Sequence, residues 1–240
     1  DAGEIVGIVG ESGSGKSTLA RCIVRLLDAD GGQIQLGAAD LLAVGKRALR
    51  AHRRDIQIIF QDPMASLNPR KRVQDLIAQG PMVHGTPRRE AIAQARELLR
   101  LVGLSPAAAE RYPHEFSGGQ RQRIGIARAL AMEPKVIVAD EPVSALDVSV
   151  QAQVLQLLAS LRERFELSLL FVTHDLRVAA QLCDRLAVMR QGEIVEYGVT
   201  AEIFDEPRHD YTRRLLASIP GREWVPEGHG QPPGLADRSA

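Results

Sequence analysis

One stretch constrains this chain more than any other: residues 10–18, which read GESGSGKST. The spacing G-x-x-x-x-G-K-[ST] is the P-loop pattern, in which backbone amides bind phosphate groups. A short apolar run, residues 5–9, precedes it, and residues 18–27 carry apolar side chains at helical spacing. The sequence therefore predicts a strand, a glycine-rich loop and a helix, with an anion site at the N-terminus of that helix.

The residues of this stretch, called the phosphate loop below, have separate predicted roles. Small residues let the backbone close around a phosphate, Lys16 brings a positive charge to the β- and γ-phosphates, and the Ser17 hydroxyl is placed to bind Mg²⁺. The alternative is a glycine-rich turn with a solvated lysine, but such a turn would not require a strand pattern before it and a helix pattern after it. The predicted nucleotide-binding residues are Gly10, Glu11, Ser12, Gly13, Ser14, Gly15, Lys16, Ser17 and Thr18.

Length and composition set the protein class. The 240 residues allow one large domain or two small ones, and 30 basic residues balance 30 acidic ones, which argues against a broad nucleic-acid-binding face. No apolar run is long enough to cross a bilayer, and the start lacks the layout of a signal peptide. Cys22 and Cys183 lack metal-type spacing, so we expect both to be reduced cysteines in a cytosolic protein.

Three more apolar runs each end in side chains that suit a magnesium–phosphate site. Gln61, the pair Asp140 and Glu141, and His174 come directly after such runs. Strand ends in an open α/β sheet are where ligands bind. We expect Gln61 and Asp140 to bind Mg²⁺, Glu141 to orient or deprotonate a water molecule, and His174 to reach a γ-phosphate. Each residue alone could be a surface polar group; together they favour catalysis.

A second glycine turn, residues 117–120 (Ser-Gly-Gly-Gln), opens a helix that continues to Leu130. This serine–glycine turn is either a second anion site or only a helix cap. The residues around it lack strand patterns, so we expect a helical insertion in an α/β core. The predicted division is residues 1–64 and 133–219 for the core, 65–132 for the helical subdomain, and 220–240 for a Pro- and Gly-rich tail, extended or disordered.

Taken in order, these motifs resemble the ATP-binding cassette (ABC) family over nearly the whole chain. The matching residues are the phosphate loop (Walker A), Gln61 (Q-loop), Ser117, Gly118, Gly119 and Gln120 (signature), Asp140 and Glu141 (Walker B and catalytic acid), Asp147 (D-loop) and His174 (switch histidine). Phe116 stands where leucine is commoner. The resemblance implies a P-loop ABC ATPase fold, α/β with an inserted helical signature subdomain, and a Mg²⁺-dependent ATPase.

The family resemblance also implies partners. The serine–glycine turn and Asp147 would act in trans, capping the γ-phosphate held by a second cassette, which is a homologous, identical or fused chain. Transmembrane permease subunits would dock near residues 62–79, and a solute-binding protein would act through them. The location implied is peripheral, on the cytoplasmic face of the plasma membrane. The aromatic residue that stacks on adenine would lie before residue 1.

A narrower resemblance is to the peptide/nickel importer subfamily, carried by residues 60–70, 111–120 and 209–216. It implies import of peptides or related solutes such as nickel or glutathione. Members of that subfamily often carry a C-terminal iron–sulfur extension, and this chain has no cysteine after Cys183. Since few residues precede Gly10, we expect a piece of a longer polypeptide, such as one cassette of a fused pair.

Two other functions stay open at this stage. A soluble ABC ATPase could act on nucleic acid or ribosomes, although the balanced charge and the lack of a basic insertion disfavour it. A non-catalytic regulatory cassette is also possible, but Glu141 and His174 are both intact. The motifs of this sequence do not identify the transported solute.

Overall fold

The computed structural model describes residues 2–219. Its centre is a six-stranded sheet in the order β4-β5-β6-β1-β7-β8. Neighbouring strands are parallel except β8, which runs antiparallel to β7 and forms a hairpin with it. The predicted tail, residues 220–240, lies outside the described residues. The strands of the main sheet are β1 (Ile5–Val9), β4 (Ile56–Ile59), β5 (Val136–Asp140), β6 (Ser168–Thr173), β7 (Arg185–Arg190) and β8 (Glu193–Val199), and a separate two-stranded ribbon holds β2 (Gln35–Leu36) and β3 (Ala39–Asp40).

Helices connect these strands and cover the sheet. Two short 3₁₀ helices, Pro106–Glu110 and Pro113–Glu115, precede the serine–glycine turn. The α-helices are α1 (Lys16–Ile23), α2 (Lys46–Asp55), α3 (Pro63–Ser66), α4 (Val73–Val83), α5 (Arg88–Leu101), α6 (Gly118–Leu130), α7 (Val148–Phe165), α8 (Leu176–Leu182), α9 (Thr200–Asp205) and α10 (Asp210–Ala217).

The sheet is buried on both faces because its central strands are mostly apolar, with polar residues only near their ends. Successive residues of β6 point to opposite sides: Phe171 joins the larger core cluster and Val172 the smaller one. The smaller cluster packs α1 on the sheet through Ala20 and through Val24, the residue that follows the helix. The larger cluster continues into α4, α5 and α6, so the helices between β4 and β5 share a core with the sheet.

Two predicted helices have the wrong bounds. The first helix ends at Ile23 rather than residue 27, because Arg25 adopts a left-handed conformation with φ 57°. Residues 41–52 are rich in Arg and Ala and suggest a short helix, but that helix begins only at Lys46. The first residues of this range form a turn instead, in which the Asp40 carboxylate accepts the Ile34 and Leu42 amides and the Leu41 side chain is buried. Residues 33–36 alternate polar and apolar side chains, which is typical of an edge strand, but only Gln35–Leu36 form one.

Parallel strands bring their carboxyl ends to one edge of the sheet. β1, β4, β5 and β6 all run in the same direction, so the segments that follow them meet at that edge. The phosphate loop follows β1, and the polar residues singled out after the other strands follow β4, β5 and β6. The topology therefore gathers the predicted site residues in one place.

Candidate functional site

The phosphate loop closes in a conformation that requires glycine. Gly10, Gly13 and Gly15 have φ values of 155°, 81° and 102°. A Cβ atom on Gly10 would lie 2.1 Å from the carbonyl oxygen of Met189, so the loop backbone packs directly against β7. The start of the loop is thus held against β7, and α1 begins at the end of the loop, at Lys16.

Lys16 lies inside this loop with only 4% of its surface exposed. Its ammonium group donates hydrogen bonds to the carbonyl oxygens of Gly10 and Glu11, both at 2.8 Å, and lies 3.4 Å from the Ser14 hydroxyl. Burial lowers the pKa of Lys16, and the carboxylates of Glu141 and Asp140 oppose that shift. All three hydrogen-bond partners are neutral, so the charge remains available to an anion at the loop.

Two oxygen donors meet at the N-terminal end of α1. The Ser17 hydroxyl donates to the Asp140 carboxylate at 2.7 Å, although the two residues come from α1 and the end of β5. Asp140 is buried, with 1% exposure. A hydroxyl and a carboxylate held together are hard oxygen ligands of the kind that Mg²⁺ prefers.

Glu141 is held from both sides. Its Oε1 lies 3.2 Å from the His174 Nδ1, and its Oε2 accepts a hydrogen bond of 3.0 Å from the Gln61 amide. The backbone of Glu141 has φ 47°, in the left-handed region that non-glycine residues rarely adopt. Its amide donates to the carbonyl oxygen of Val172 on β6 at 2.9 Å, which fixes this conformation. The Gln61 amide also lies 3.4 Å from the Ser144 hydroxyl.

These groups border one open cavity of about 700 Å³. The structure brings the phosphate loop, Gln61, Glu141 and His174 to its wall. Asp140 contacts this wall through its hydrogen bond with Ser17. Leu215 of α10 also lines it, and the strand-end argument missed this residue. The lining residues are Gly10, Glu11, Ser12, Gly13, Gly15, Lys16, Ser17, Thr18, Gln61, Glu141, His174 and Leu215.

The serine–glycine turn lies elsewhere: within residues 2–219, it contributes nothing to the lining of this cavity. It forms a capping box, in which the Ser117 hydroxyl accepts the Gln120 amide and the Gln120 side chain accepts the Ser117 amide. Gly119 packs against α7, where an added Cβ would lie 2.3 Å from Val150 Cγ1.

Asp147 begins that same α7 helix. Its carboxylate accepts hydrogen bonds from the Ser149 hydroxyl at 2.7 Å and the Val150 amide at 3.0 Å. These two bonds lower the pKa of Asp147. Asp147 and the serine–glycine turn therefore meet the same first turn of α7, and neither is among the residues that line the phosphate loop's cavity.

Three other features bear on the kind of site. Within residues 2–219, no cluster of three or more His, Cys, Asp and Glu residues is arranged to hold a metal ion. Cys22 and Cys183 are free thiols, and burial raises the pKa of Cys183 far above its ordinary value. No helix of the described part combines the length and the apolar character needed to cross a membrane.

Known structures share this fold, and one of them contains ADP and Pi. The ATP-binding cassette MJ0796, solved as a dimer in a post-hydrolysis state with ADP and Pi, superposes with a TM-score of 0.75 at 32% identity, covering 83% of this chain and 87% of that one. CbiO1 of Clostridium perfringens, part of the ABC transporter complex cbiONQ, superposes with a TM-score of 0.77 at 28% identity over 92% of this chain and 86% of that one.

Relatives in sequence carry related names. A Brucella ovis protein named as a peptide import ATP-binding protein is 50% identical over 91% of this chain and 69% of its own length. OppD of Mycobacterium bovis, an oligopeptide transport ATP-binding protein, and GsiA of Escherichia coli O157:H7, a glutathione import ATP-binding protein, are each 53% identical. They align with 91% and 92% of this chain, which spans only 36% of their own lengths. The sequence model of the family described as ABC transporter matches residues 1–144. The chain belongs to the ABC transporter family.

Proposed function

We propose that this chain binds and hydrolyses ATP to energise an importer of peptides or related small solutes, such as glutathione or nickel. The observation that carries the proposal is the position of Glu141, whose carboxylate lies between the Gln61 amide and the His174 imidazole at the cavity of the phosphate loop. The names of the peptide and glutathione import relatives support the solute class.

The phosphate loop binds the triphosphate of ATP. Its amides and the N-terminus of α1 provide positive potential, and Lys16 adds a full charge. Because the lysine is already anchored on two loop carbonyls, it needs little rearrangement to meet a phosphate. This preorganised charge stabilises the negative charge that develops on the terminal phosphate during transfer.

The oxygen pair Ser17 and Asp140 fits Mg²⁺, since a hydroxyl and a buried carboxylate already lie 2.7 Å apart. Gln61, whose amide contacts Glu141 in this structure, would complete the set of metal ligands. Mg²⁺ neutralises charge on the β- and γ-phosphates when it is bound with ATP.

The reacting water is oriented by Glu141. Its carboxylate is a hydrogen-bond acceptor that can hold a water and accept its proton as the oxygen attacks phosphorus. Gln61 and His174 fix the direction of the carboxylate through one oxygen each. The His174 side chain is 54% exposed and lines the cavity, so it can also contact the terminal phosphate.

A second cassette completes each nucleotide site. The serine–glycine turn and Asp147 are not among the residues that line the chain's own cavity, so they are available to the cavity of a partner cassette. The dimeric form of the MJ0796 cassette supports this arrangement. We further propose that residues 65–132 act as the helical subdomain that carries the turn, between core parts at 1–64 and 133–219.

Permease subunits of the inner membrane dock on the helical side, near residues 62–79. Met64 is an exposed apolar residue in this range, and the basic residues Arg70, Lys71 and Arg72 border a shallow pocket together with the exposed Met82. A tagged chain, purified from native membranes under mild detergent, should retain a permease and a second cassette, and the complex should hydrolyse ATP faster with peptide and binding protein. Recovery with ribosomes or nucleic acid instead would refute the import function.

A further inference from the structure

Helix α10 reaches the phosphate loop from the far end of the chain. The Glu11 amide donates a hydrogen bond of 3.1 Å to the hydroxyl of Tyr211, the second residue of α10, and the two residues are 200 positions apart in sequence. Glu11 is the second residue of the loop, directly after Gly10. The hydroxyl therefore fixes an amide at the point where the chain leaves β1 and begins to wrap the phosphate site.

Tyr211 is well fixed itself. Only 4% of its surface is exposed, and the Arg190 guanidinium lies 5.2 Å from the centroid of its ring. The residue before α10, His209, caps the helix, since its Nδ1 accepts the Tyr211 amide at 3.1 Å. A tyrosine held in this way presents its hydroxyl at one position.

The start of α10 is tied to β8. The Glu196 carboxylate accepts the backbone amide of Arg208 at 2.8 Å and that of His209 at 3.1 Å. These bonds join the edge strand of the sheet to the segment that enters α10. These bonds fix the N-terminus of the helix relative to the sheet, and so they also fix the position of Tyr211 beside the loop.

Leu215 lies one turn further along α10 and lines the cavity of the phosphate loop. It is partly buried and packs on the larger core cluster. One helix thus contributes a hydroxyl to the back of the loop and an apolar side chain to the wall of the cavity. Two separate contacts with one site indicate more than incidental packing.

We propose that α10 is part of the nucleotide site. Tyr211 is a positioning residue that holds the Glu11 amide and so keeps the loop in its phosphate-binding conformation, and Leu215 is an apolar contact for the bound nucleotide. The proposal rests on the proposed ATP-binding function. Without the hydroxyl, the partly buried Glu11 amide has no protein acceptor at this position, and the free loop gains conformations that do not bind phosphate.

The test compares Tyr211→Phe with Tyr197→Phe, a tyrosine on β8 that is 54% exposed and is not among the residues that line the loop's cavity. Binding of a fluorescent N-methylanthraniloyl ATP is measured by titration, and inorganic tripolyphosphate is used as a competitor. Tyr211→Phe should raise the Kd for both ligands by about 5- to 10-fold, as for loss of one hydrogen bond. Tyr197→Phe should leave both values unchanged.

The assembled transporter provides a readout that a general loss of structure would not give. Tyr211→Phe should raise KM for ATP by a similar factor and leave kcat within about 2-fold, because saturating nucleotide restores the loop conformation. A second variant, Leu215→Ala, should weaken nucleotide binding about 3- to 10-fold through lost apolar contact. Its matched control is Leu157→Ala, another partly buried leucine that packs on the same core.

The outcomes separate the two proposals. If the unmodified chain fails to bind the fluorescent ATP, the proposed function itself is wrong. If it binds and Tyr211→Phe behaves like Tyr197→Phe, the role of α10 is refuted and ATP binding stands. A fall in kcat with KM unchanged would also overturn the positioning role.

Discussion

The imidazole Nδ1 of His174 lies 3.2 Å from Oε1 of Glu141, and it comes from a different strand of the sheet. Glu141 follows β5 and His174 follows β6, which are adjacent and parallel. The Gln61 amide, after β4, contacts the other oxygen of the same carboxylate. Three neighbouring strand ends thus position one acid, which makes Glu141 the most informative residue to change.

Replacing that acid by its amide should separate binding from hydrolysis. Glu141→Gln keeps the size of the side chain and removes the proton acceptor, so we expect ATP affinity to persist and steady-state turnover to fall at least ~10²-fold. The measurement is phosphate release by the assembled transporter. Glu163→Gln, an exposed change on α7, serves as the control and should hydrolyse normally. Near-normal turnover of Glu141→Gln would remove this residue from its proposed role.

A large substitution in the serine–glycine turn should block pairing of cassettes. Because the turn lies outside the chain's own cavity, Ser117→Arg should leave nucleotide binding by the single chain unchanged. It should abolish ATP-dependent dimers, measured by light scattering in a Glu141→Gln background. Ser105→Arg is the control, since Ser105 is another exposed N-cap serine in the same helical segment. Equal dimerisation of both variants would contradict the trans arrangement.

Contact between α6 and α7 can be tested at Gly119. A methyl group there would lie 2.3 Å from Val150 Cγ1, so Gly119→Ala should destabilise the fold by about 1–3 kcal/mol through overpacking. Adding Val150→Ala should recover most of that loss. Gly125→Ala, on the same helix with no atom within 4 Å of the added Cβ, should be neutral or stabilising. Chemical denaturation measures all four proteins, and a double variant as unstable as Gly119→Ala would argue against this packing.

The two thiols should react at very different rates. Cys183 is buried, burial raises the pKa of its thiol, and its Sγ lies 2.8 Å from the position of a Cβ on Gly7, so little thiolate is available. Cys22 is partly exposed on α1. A thiol reagent at pH 8 should modify Cys22 in the native protein, with Cys183 reacting only after denaturation. Mass spectrometry of the labelled peptides identifies the site, and rapid native labelling of Cys183 would contradict its burial.

Sequence patterns predicted the site better than they predicted the helices around it. The phosphate loop, Gln61, Glu141 and His174 could be placed together because each follows an apolar strand and parallel strands share an edge. The bounds near residue 41 could not, because a side-chain turn at Asp40 replaced the first helical residues. The contact of Tyr211 with Glu11 was also missed. It joins residues 200 positions apart, and no local pattern reports such a pairing.

The left-handed backbone of Glu141 has an evolutionary consequence. Glycine and asparagine adopt φ 47° at lower energy than glutamate, so each is expected to make the folded chain more robust at this position. Libraries screened for thermal tolerance alone should therefore accumulate Gly or Asn at residue 141 and lose turnover as they do so. We therefore expect glutamate at residue 141 to lower the thermal stability of the fold in exchange for ATP hydrolysis.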